Sequence, residues 1–512
     1  MCPAQRPEAG TCGDCYRAAV AGPGSTAVPA GTRIALDRRT RVLDDGAVLL
    51  GGAPPRLLQL STTARELLGS GALTVRDATS AALARRLLDT GIAHPVTVPA
   101  AGVPAPGEVT VVVPVRDRAA GLGRVLAALP PAVGGVIVVD DGSVDPAAVT
   151  AVAAAGARVL RHPQARGPAA ARNTGLAAAT TPLVAFLDSD VVPEPGWLDP
   201  LLAAFADPAV GLAAPRIVAL LPVTGWLGRY EAVRSSLDLG PDPALIVPRS
   251  RVAYVPSAAL VVRRDAAGPG FDERLHVAED VDLVLRLHAA GWRLRYVPVA
   301  RVAHDHRTTF RAWWLRKAFY GTGAAPLALR HRGAVPPMVL TPSSAGIVAL
   351  LLTGRPLAVP PAAVIGLVAA LRLARRLRVR RPWSTAARLV ALGTLGAAAQ
   401  TADAVNRHYW PLSLLACVLS RRARRTVSAI AVAEGVLDWW RHRSRDPRVR
   451  AGLVGHLIAH RLDDLAYGAG LWWGAGQHRS WEPLRPIGPG GGRERFRLTE
   501  LLRGVKRRVG AG

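Results

Sequence analysis

The sequence predicts an α/β protein: a Rossmann-like mixed sheet at its centre, a small winged-helix-like α+β module before it and an apolar helical region after it. Three observations carry that prediction. Val109 to Val113 and Val136 to Val139 are continuous β-branched runs, apolar except for Thr110, as strands covered on both faces require, and a helical stretch separates them. Thr181 to Leu187 is a further strand-length run, and it ends in Asp188-Ser189-Asp190, which places two carboxylates at the carboxyl edge of a sheet, where open α/β folds bind ligands. Ahead of these, between residues 31 and 97, short strand signals alternate with amphipathic helices.

The 512 residues carry a formal net charge of +27 and are 50% hydrophobic but only 5% aromatic. The excess is almost wholly arginine. Charge of this size points to nucleic acid or to an anionic membrane. No aromatic-rich basic patch resembles a base-stacking surface, and the densest basic runs flank apolar segments, so the expectation is a membrane surface and no nucleic acid. Cys2, Cys12 and Cys15 lie at the start and Cys417 in an apolar stretch. Cys12 and Cys15 have half the spacing of a zinc site without a second pair, so a reduced cytosolic chain with no structural zinc is expected. The N-terminus shows no apolar h-region, and no signal peptide is expected.

Residues 1–30, rich in Gly, Pro and Ala, read as a disordered tail. Arg33 to Leu36 and Arg41 to Leu43 read as two strands around the turn Asp37-Arg38-Arg39-Thr40, with Ala47 to Leu50 as a third. Leu57, Leu58 and Leu60 lead to Ser61, an N-cap for a helix from Thr62 to Leu68. Ala78 to Leu88 is a second helix, stopped by Gly91. This module, 31–97, resembles the PqqD-like peptide-recognition domain, which implies binding of a precursor peptide by strand addition; a plain cap on the next domain is the alternative. Residues 98–107, holding three prolines in the stretch from Val98 to Pro106, read as a linker.

From 108 to 330 the pattern becomes strand, helix, strand, with polar residues at each strand end. Val109 to Val113 ends in Pro114-Val115-Arg116-Asp117, and Val136 to Val139 ends in Asp140-Asp141-Gly142-Ser143. No Gly-x-Gly-x-x-Gly is present, which argues against a dinucleotide. Gly167-Pro168-Ala169 opens a helix whose free amides, with Arg172, could face a phosphate. Asp188-Ser189-Asp190 suits a hard cation, Mg²⁺ or Mn²⁺, bridging to a diphosphate; by itself it fits a polar turn equally well. Glu279-Asp280 opens a helix keeping Leu283, Leu287 and Ala290 on one face, where an Asp serves as a cap or as a base.

Five segments in order, Val-Val-Pro-Val-Arg-Asp, Val-Val-Asp-Asp-Gly-Ser, Gly-Pro-Ala-Ala-Ala-Arg-Asn-Thr-Gly, Phe-Leu-Asp-Ser-Asp and Glu279-Asp280, resemble a family 2 glycosyltransferase of the GT-A fold over residues 108 to about 306. The resemblance implies transfer of a hexose, by default glucose from UDP-glucose, with inversion. It implies that Pro114, Arg116 and Asp141 contact the nucleoside, that Asp188 lies on the donor ribose or sugar side, that Asp190 holds the metal and diphosphate, and that Asp280 is the catalytic base. His304, in His304-Asp305-His306-Arg307, takes the place of a second metal ligand or diphosphate contact. Trp197 fits a sugar-binding floor or an ordinary buried position. Phe310 to Tyr320 resembles an amphipathic element at a membrane edge or over an acceptor tunnel.

Residues 331–485 read as an apolar helical region: Val339 to Leu352, Leu357 to Leu373, Leu389 to Ala399 and Trp410 to Leu419 are apolar, with Arg-rich ends. The expectation is association with the cytoplasmic face of the cell membrane, against the alternative of soluble packed helices. Residues 486–512 are a basic tail. With the PqqD-like module in front, the implied acceptor is a peptide or a peptide-derived redox cofactor; a cell-envelope polysaccharide or glycolipid synthase and a non-catalytic peptide carrier are the rivals. Such a synthase carries Gln-x-x-Arg-Trp after the base, and this chain has Trp313-Trp314-Leu315-Arg316-Lys317.

Overall fold

A computed structural model describes residues 22–23, 27–99, 102–154, 156–307, 309–444 and 446–489. Cys2, Cys12, Cys15 and nearly all of both tails lie outside them. The chain forms two compact units, Met1–Val223 with Arg234–His306, and Thr224–Val233 with Arg307–Gly512. The segment 108–330, expected as the transferase, is divided between these units, and the N-terminal module shares a unit with the central sheet.

The module contains β1 (Arg33–Leu36), β2 (Arg41–Leu43), β3 (Val48–Gly51), β4 (Arg56–Gln59), β5 (Ala72–Thr74) and β6 (Ala93–Thr97). β1 and β2 do flank a turn, with Thr40 N–H donating to Asp37 O at 2.8 Å. They do not pair with each other. β1 lies between β5 and β6, and β2-β3-β4 is a separate sheet. The reason is burial: Ile34, fully buried, needs a strand on either side and finds Leu73 and Pro95 across from it. Leu57 and Leu58 belong to β4 rather than to a helix lead-in, because Leu58 pairs with Leu49 and both enter the module core. The helices form where capping placed them. Ser61 Oγ accepts from Ala64 N–H at 3.2 Å to start Thr62–Leu68, and Asp77 with Ser80 closes a capping box over Ala78–Asp89.

The central sheet adds β7 (Val109–Val115), β8 (Gly135–Asp141), β9 (Arg158–His162), β10 (Leu183–Leu187), β11 (Val191–Pro193), β12 (Val210–Ala219), β13 (Ala244–Leu245), β14 (Ala259–Arg263) and β15 (Arg293–His304). Its order is β11-β15-β12-β14-β10-β7-β8-β9, with β13 beside β15. β7, β8, β9 and β10 are mutually parallel; β14 is antiparallel to β10 and β12, and β15 runs parallel to β12. The carboxyl ends of β7 to β10, β12 and β15 therefore share one edge. Every residue of β7 and β10 is buried, as the β-branched runs require.

The module docks at the opposite edge, where β15 begins. Asp89 accepts from Arg293 Nε and Nη2 at 2.8 and 2.6 Å, Arg39 Nη2 donates to Asp242 Oδ2 at 2.7 Å, and Arg38 also pairs with Asp242.

The second unit is helical. The expected Trp410–Leu419 helix is present, Val339 to Leu352 becomes Pro342–Leu352, and Leu389 to Ala399 is the middle of Pro382–Arg407. Arg421–His442 and Leu453–Gln477, which hydrophobic periodicity missed, carry an ionic face. Lys317 Nζ lies 2.9 Å from both Glu231 and Asp463, Arg407 Nη1 lies 3.2 Å from Asp463 and Asp464, and His456 Nε2 lies 2.9 Å from Asp438. Glu434, His460 and Asp464 converge within 4.8 Å in the manner of a cation site, but Arg461 already pairs with both carboxylates. Among the described residues one helix, Pro356–Ala374, is long and apolar enough to cross a membrane, with mean hydropathy 1.9 and 17% of its apolar window buried.

Candidate active site

The carboxyl edge of the sheet collects the acidic strand ends. β10 delivers Asp188, whose N–H donates to Ala258 O at 3.0 Å, and the turn Asp188-Ser189-Asp190 then leads into β11. β11 pairs antiparallel with the end of β15, Val191 opposite His304, and Asp305 N–H donates to Asp190 O at 2.8 Å. That pairing brings His304 Nε2 to 3.6 Å from Asp190 Oδ1, joining residues more than a hundred positions apart in the chain.

Asp190 and His304 fit a divalent cation: one carboxylate oxygen and one imidazole nitrogen converge half-buried at the strand ends, leaving the other coordination positions to water and phosphate. His304 Nδ1 lies 3.1 Å from Nδ1 of His306, a partner that can hold the ring and fix its tautomer. Arg118 Nη1 lies 3.0 Å from the other Asp190 oxygen. Sequence reasoning missed both residues. His306 was visible in the His-Asp-His run; Arg118 had no signal, because only the fold of the loop after β7 aims it at Asp190.

Arg172, expected to face a phosphate, is committed elsewhere. It is 3% exposed, donates to Asp188 Oδ1 at 2.6 Å and to Glu279 Oε1 at 2.9 Å, and packs its guanidinium over the Phe271 ring at 5.3 Å. It bridges the acidic turn to the acidic helix start instead of offering a free charge.

Glu279–Ala289 begins after Ala278, whose φ of +64° is strained for a residue with a Cβ. The turn leaves Glu279 buried and Asp280 half-buried. Asp280 Oδ2 accepts from Ser257 N–H at 3.1 Å and Oδ1 from Val281 N–H at 2.8 Å, so the backbone of two elements fixes the carboxylate. Burial pushes Glu279 up to about 7, with the Asp280 charge adding to it and Arg172 opposing it. Burial raises Asp280 as well, against the Ser257 amide and Arg172. A fixed carboxylate whose pKa is raised by burial suits the role of a general base.

The other expected contacts divide. Pro114 is buried in β7, while the Arg116 side chain is 59% exposed beyond it. Asp141 is 5% exposed, and both of its oxygens are engaged: by His162 Nδ1, Arg166 N–H and Gly167 N–H, each at 2.8 Å. Its carboxylate therefore ties β8 to the loop that opens the Pro168–Ala178 helix. Gly142 makes that loop possible: its φ is +72°, and a Cβ would lie 2.6 Å from Ala165 N. Trp197, 1% exposed in the main core, is a packing residue and not a sugar floor.

The family described as Glycosyl transferase family 2 matches residues 110–265. The pre-mycofactocin glycosyltransferase of Mycobacterium tuberculosis is 50% identical over 469 residues, which cover 90% of this chain and 99% of that protein. The succinoglycan biosynthesis protein ExoU of Rhizobium meliloti is 30% identical over 241 residues, covering 40% of this chain and 66% of its own. Among solved structures, the mannosyltransferase PcManGT from Pyrobaculum calidifontis, in complex with GDP-Man and Mn²⁺, is 22% identical, covers 68% of this chain and 90% of its own, and has a TM-score of 0.35.

Proposed function

We propose a donor, an acceptor and a stereochemical course for this chain, which belongs to the pre-mycofactocin glycosyltransferases of glycosyl transferase family 2 and is a glycosyltransferase of mycofactocin biosynthesis. The polysaccharide-synthase and non-catalytic-carrier readings give way to that membership. The reading is that the enzyme moves a hexose, glucose from UDP-glucose, to a hydroxyl of the peptide-derived cofactor or its precursor, with inversion at the anomeric carbon.

The observation that carries it is the convergence of Asp188, Asp190, His304 and the Glu279-Asp280 pair at one sheet edge, with Arg172 bridging the two acidic groups. Asp280 is half-buried and its carboxylate is fixed by the Ser257 and Val281 amides, so it takes the acceptor hydroxyl's proton as that oxygen attacks the anomeric carbon from the face opposite the leaving UDP. One base and one displacement give inversion. Asp190 and His304 would hold Mg²⁺ or Mn²⁺, which supplies positive charge for the leaving diphosphate. Arg118, beside Asp190, adds a further cation there. Arg172 keeps Asp188 and Glu279 in place.

The PqqD-like module supports a peptide-linked acceptor: among the described residues β2 pairs only with β3, so its other edge can receive a strand. Association with the cytoplasmic face of the membrane is supported by Pro356–Ala374 and by exposed apolar side chains such as Leu357, 86% exposed, and Leu419, 76% exposed.

Calorimetry with UDP and Mn²⁺, paired with turnover, tests the reading. Asp190→Ala is expected to abolish metal-dependent UDP binding, whereas Asp280→Asn should keep UDP affinity and lose about 10²–10⁴-fold in turnover. Metal-dependent UDP binding unchanged in the first variant, or near-normal turnover in the second, removes the corresponding assignment.

A further inference from the structure

β15 starts Arg293-Leu294-Arg295, and because strand side chains alternate, the two arginines share one face. Arg293 is saturated: it takes Asp89 of the module through Nε and Nη2, and Asp207 through Nη1. Arg295 is 4% exposed, and among the described residues none of its three guanidinium nitrogens has an acceptor.

Among the described residues the carboxylates of this seam are engaged. Asp37 is bonded to His94 Nε2 at 2.9 Å and Asp242 to Arg38 and Arg39, while Asp89 and Asp207 serve Arg293. Arg251, a further positive charge acting on the His94 ring together with Arg295, donates only to the backbone oxygens of Leu239, Asp242 and Pro243. Burial, with Arg293 beside it, pushes Arg295 down to about 10, which still leaves it charged at neutral pH. A buried guanidinium cannot escape by deprotonation, as a lysine does, so it needs an acceptor. Water would satisfy its N–H groups but leave the surplus charge of the seam uncompensated.

We infer that the seam between the N-terminal module and the start of β15 is an anion site, in which Arg295 holds a small monovalent anion, a halide or a carboxylate. The planar fork of Arg295 suits a carboxylate bidentately and a halide at its centre. Bound there, the anion completes the charge balance on which the docking of the module rests. The site lies at the sheet edge away from Asp190 and Asp280, and it is independent of the donor and acceptor proposed above.

Crystals of the full chain soaked in bromide test this directly. The expected result is an anomalous peak within hydrogen-bonding reach of the Arg295 guanidinium; water alone at that position overturns the inference. In solution, ³⁵Cl line broadening by the wild-type chain should saturate and be displaced by acetate, and Arg295→Met should lose the displaceable component. Equal broadening by Arg295→Met means surface adsorption on a basic protein and also overturns it. If Arg295→Met does not fold, the bromide result on the wild-type chain decides.

Discussion

Arg172 sets the electrostatics of the site from inside the protein. A lysine in its place keeps the charge but has no fork with which to reach Asp188 and Glu279 together. Arg172 opposes the upward shifts of both Glu279 and Asp280, so weakening it should raise them further. The proposed base, Asp280, works only when deprotonated, and burial raises its pKa above the usual carboxylate range, so turnover should rise with pH along an acid limb shifted upward from that of an ordinary aspartate. In Arg172→Lys that rise should move to higher pH, as a kcat profile measured at saturating donor would show; an unmoved limb would mean that Arg172 does not tune the base. Folding follows the same linkage with its own sign. Glu279 is raised from 4.5 to about 7, so the folded chain holds a proton that the unfolded chain releases between those values. The stability this group contributes is complete below 4.5 and is lost as pH rises through 7.

Among the elements, the short β11 does the most for its length, since its pairing with the end of β15 is what brings His304 to Asp190. In the helical unit, backbones approach closely at glycine positions. A Cβ on Gly470 would lie 1.7 Å from Ala318 O, so Leu453–Gln477 and Phe310–Thr322 meet there with no room for a side chain. Gly470→Val should destabilise this unit by roughly 1–3 kcal/mol, the usual cost of overpacking, and leave UDP affinity unchanged. Thermal melting alongside UDP calorimetry checks both halves of that expectation. The strand ends Asp140-Asp141 and Asp188-Ser189-Asp190 were readable because buried parallel strands are continuous apolar runs with abrupt polar ends. Arg421–His442 and Leu453–Gln477 were not, because their inward faces hold Glu434, Asp438, His456, His460, Asp463 and Asp464, and a hydrophobic period cannot register an ionic core.

For the whole molecule, the membrane and peptide proposals make separate demands. If the apolar surface of the helical unit inserts into lipid, the chain should sediment with membranes in high salt, because salt screens arginine–headgroup attraction but not apolar insertion. Release by salt alone would leave only a peripheral electrostatic contact. If a peptide adds to the open edge of β2, Val42→Pro should raise the acceptor KM at least tenfold while UDP affinity stays constant, since proline removes a ladder donor from the strand and obstructs its edge. Val42 is 54% exposed, so the substitution spares the module core. An unchanged acceptor KM would make the module a structural cap. Its docking by Asp89–Arg293 and Arg39–Asp242 sets it at the edge of the sheet away from the proposed catalytic carboxylates, so an acceptor guided by the module would have to span the length of β15.

By itself the sequence determined the α/β core, the edge on which its acids gather and the family to which they belong. These follow from local rules: apolar runs make buried strands, and their polar ends mark one edge when the strands are parallel. The caps at Ser61 and Asp77 were local in the same sense, although only Ser61 was anticipated. Tertiary structure alone decided which side chains meet. Pairing β1 with β5 and β6 instead of β2, turning Arg172 inward onto two carboxylates, engaging Asp141 with a loop, burying Trp197 and leaving Arg295 without a partner among the described residues all depend on elements distant in the chain competing for the same neighbours. That competition is settled by burial and charge balance over the folded unit, which no window of sequence contains.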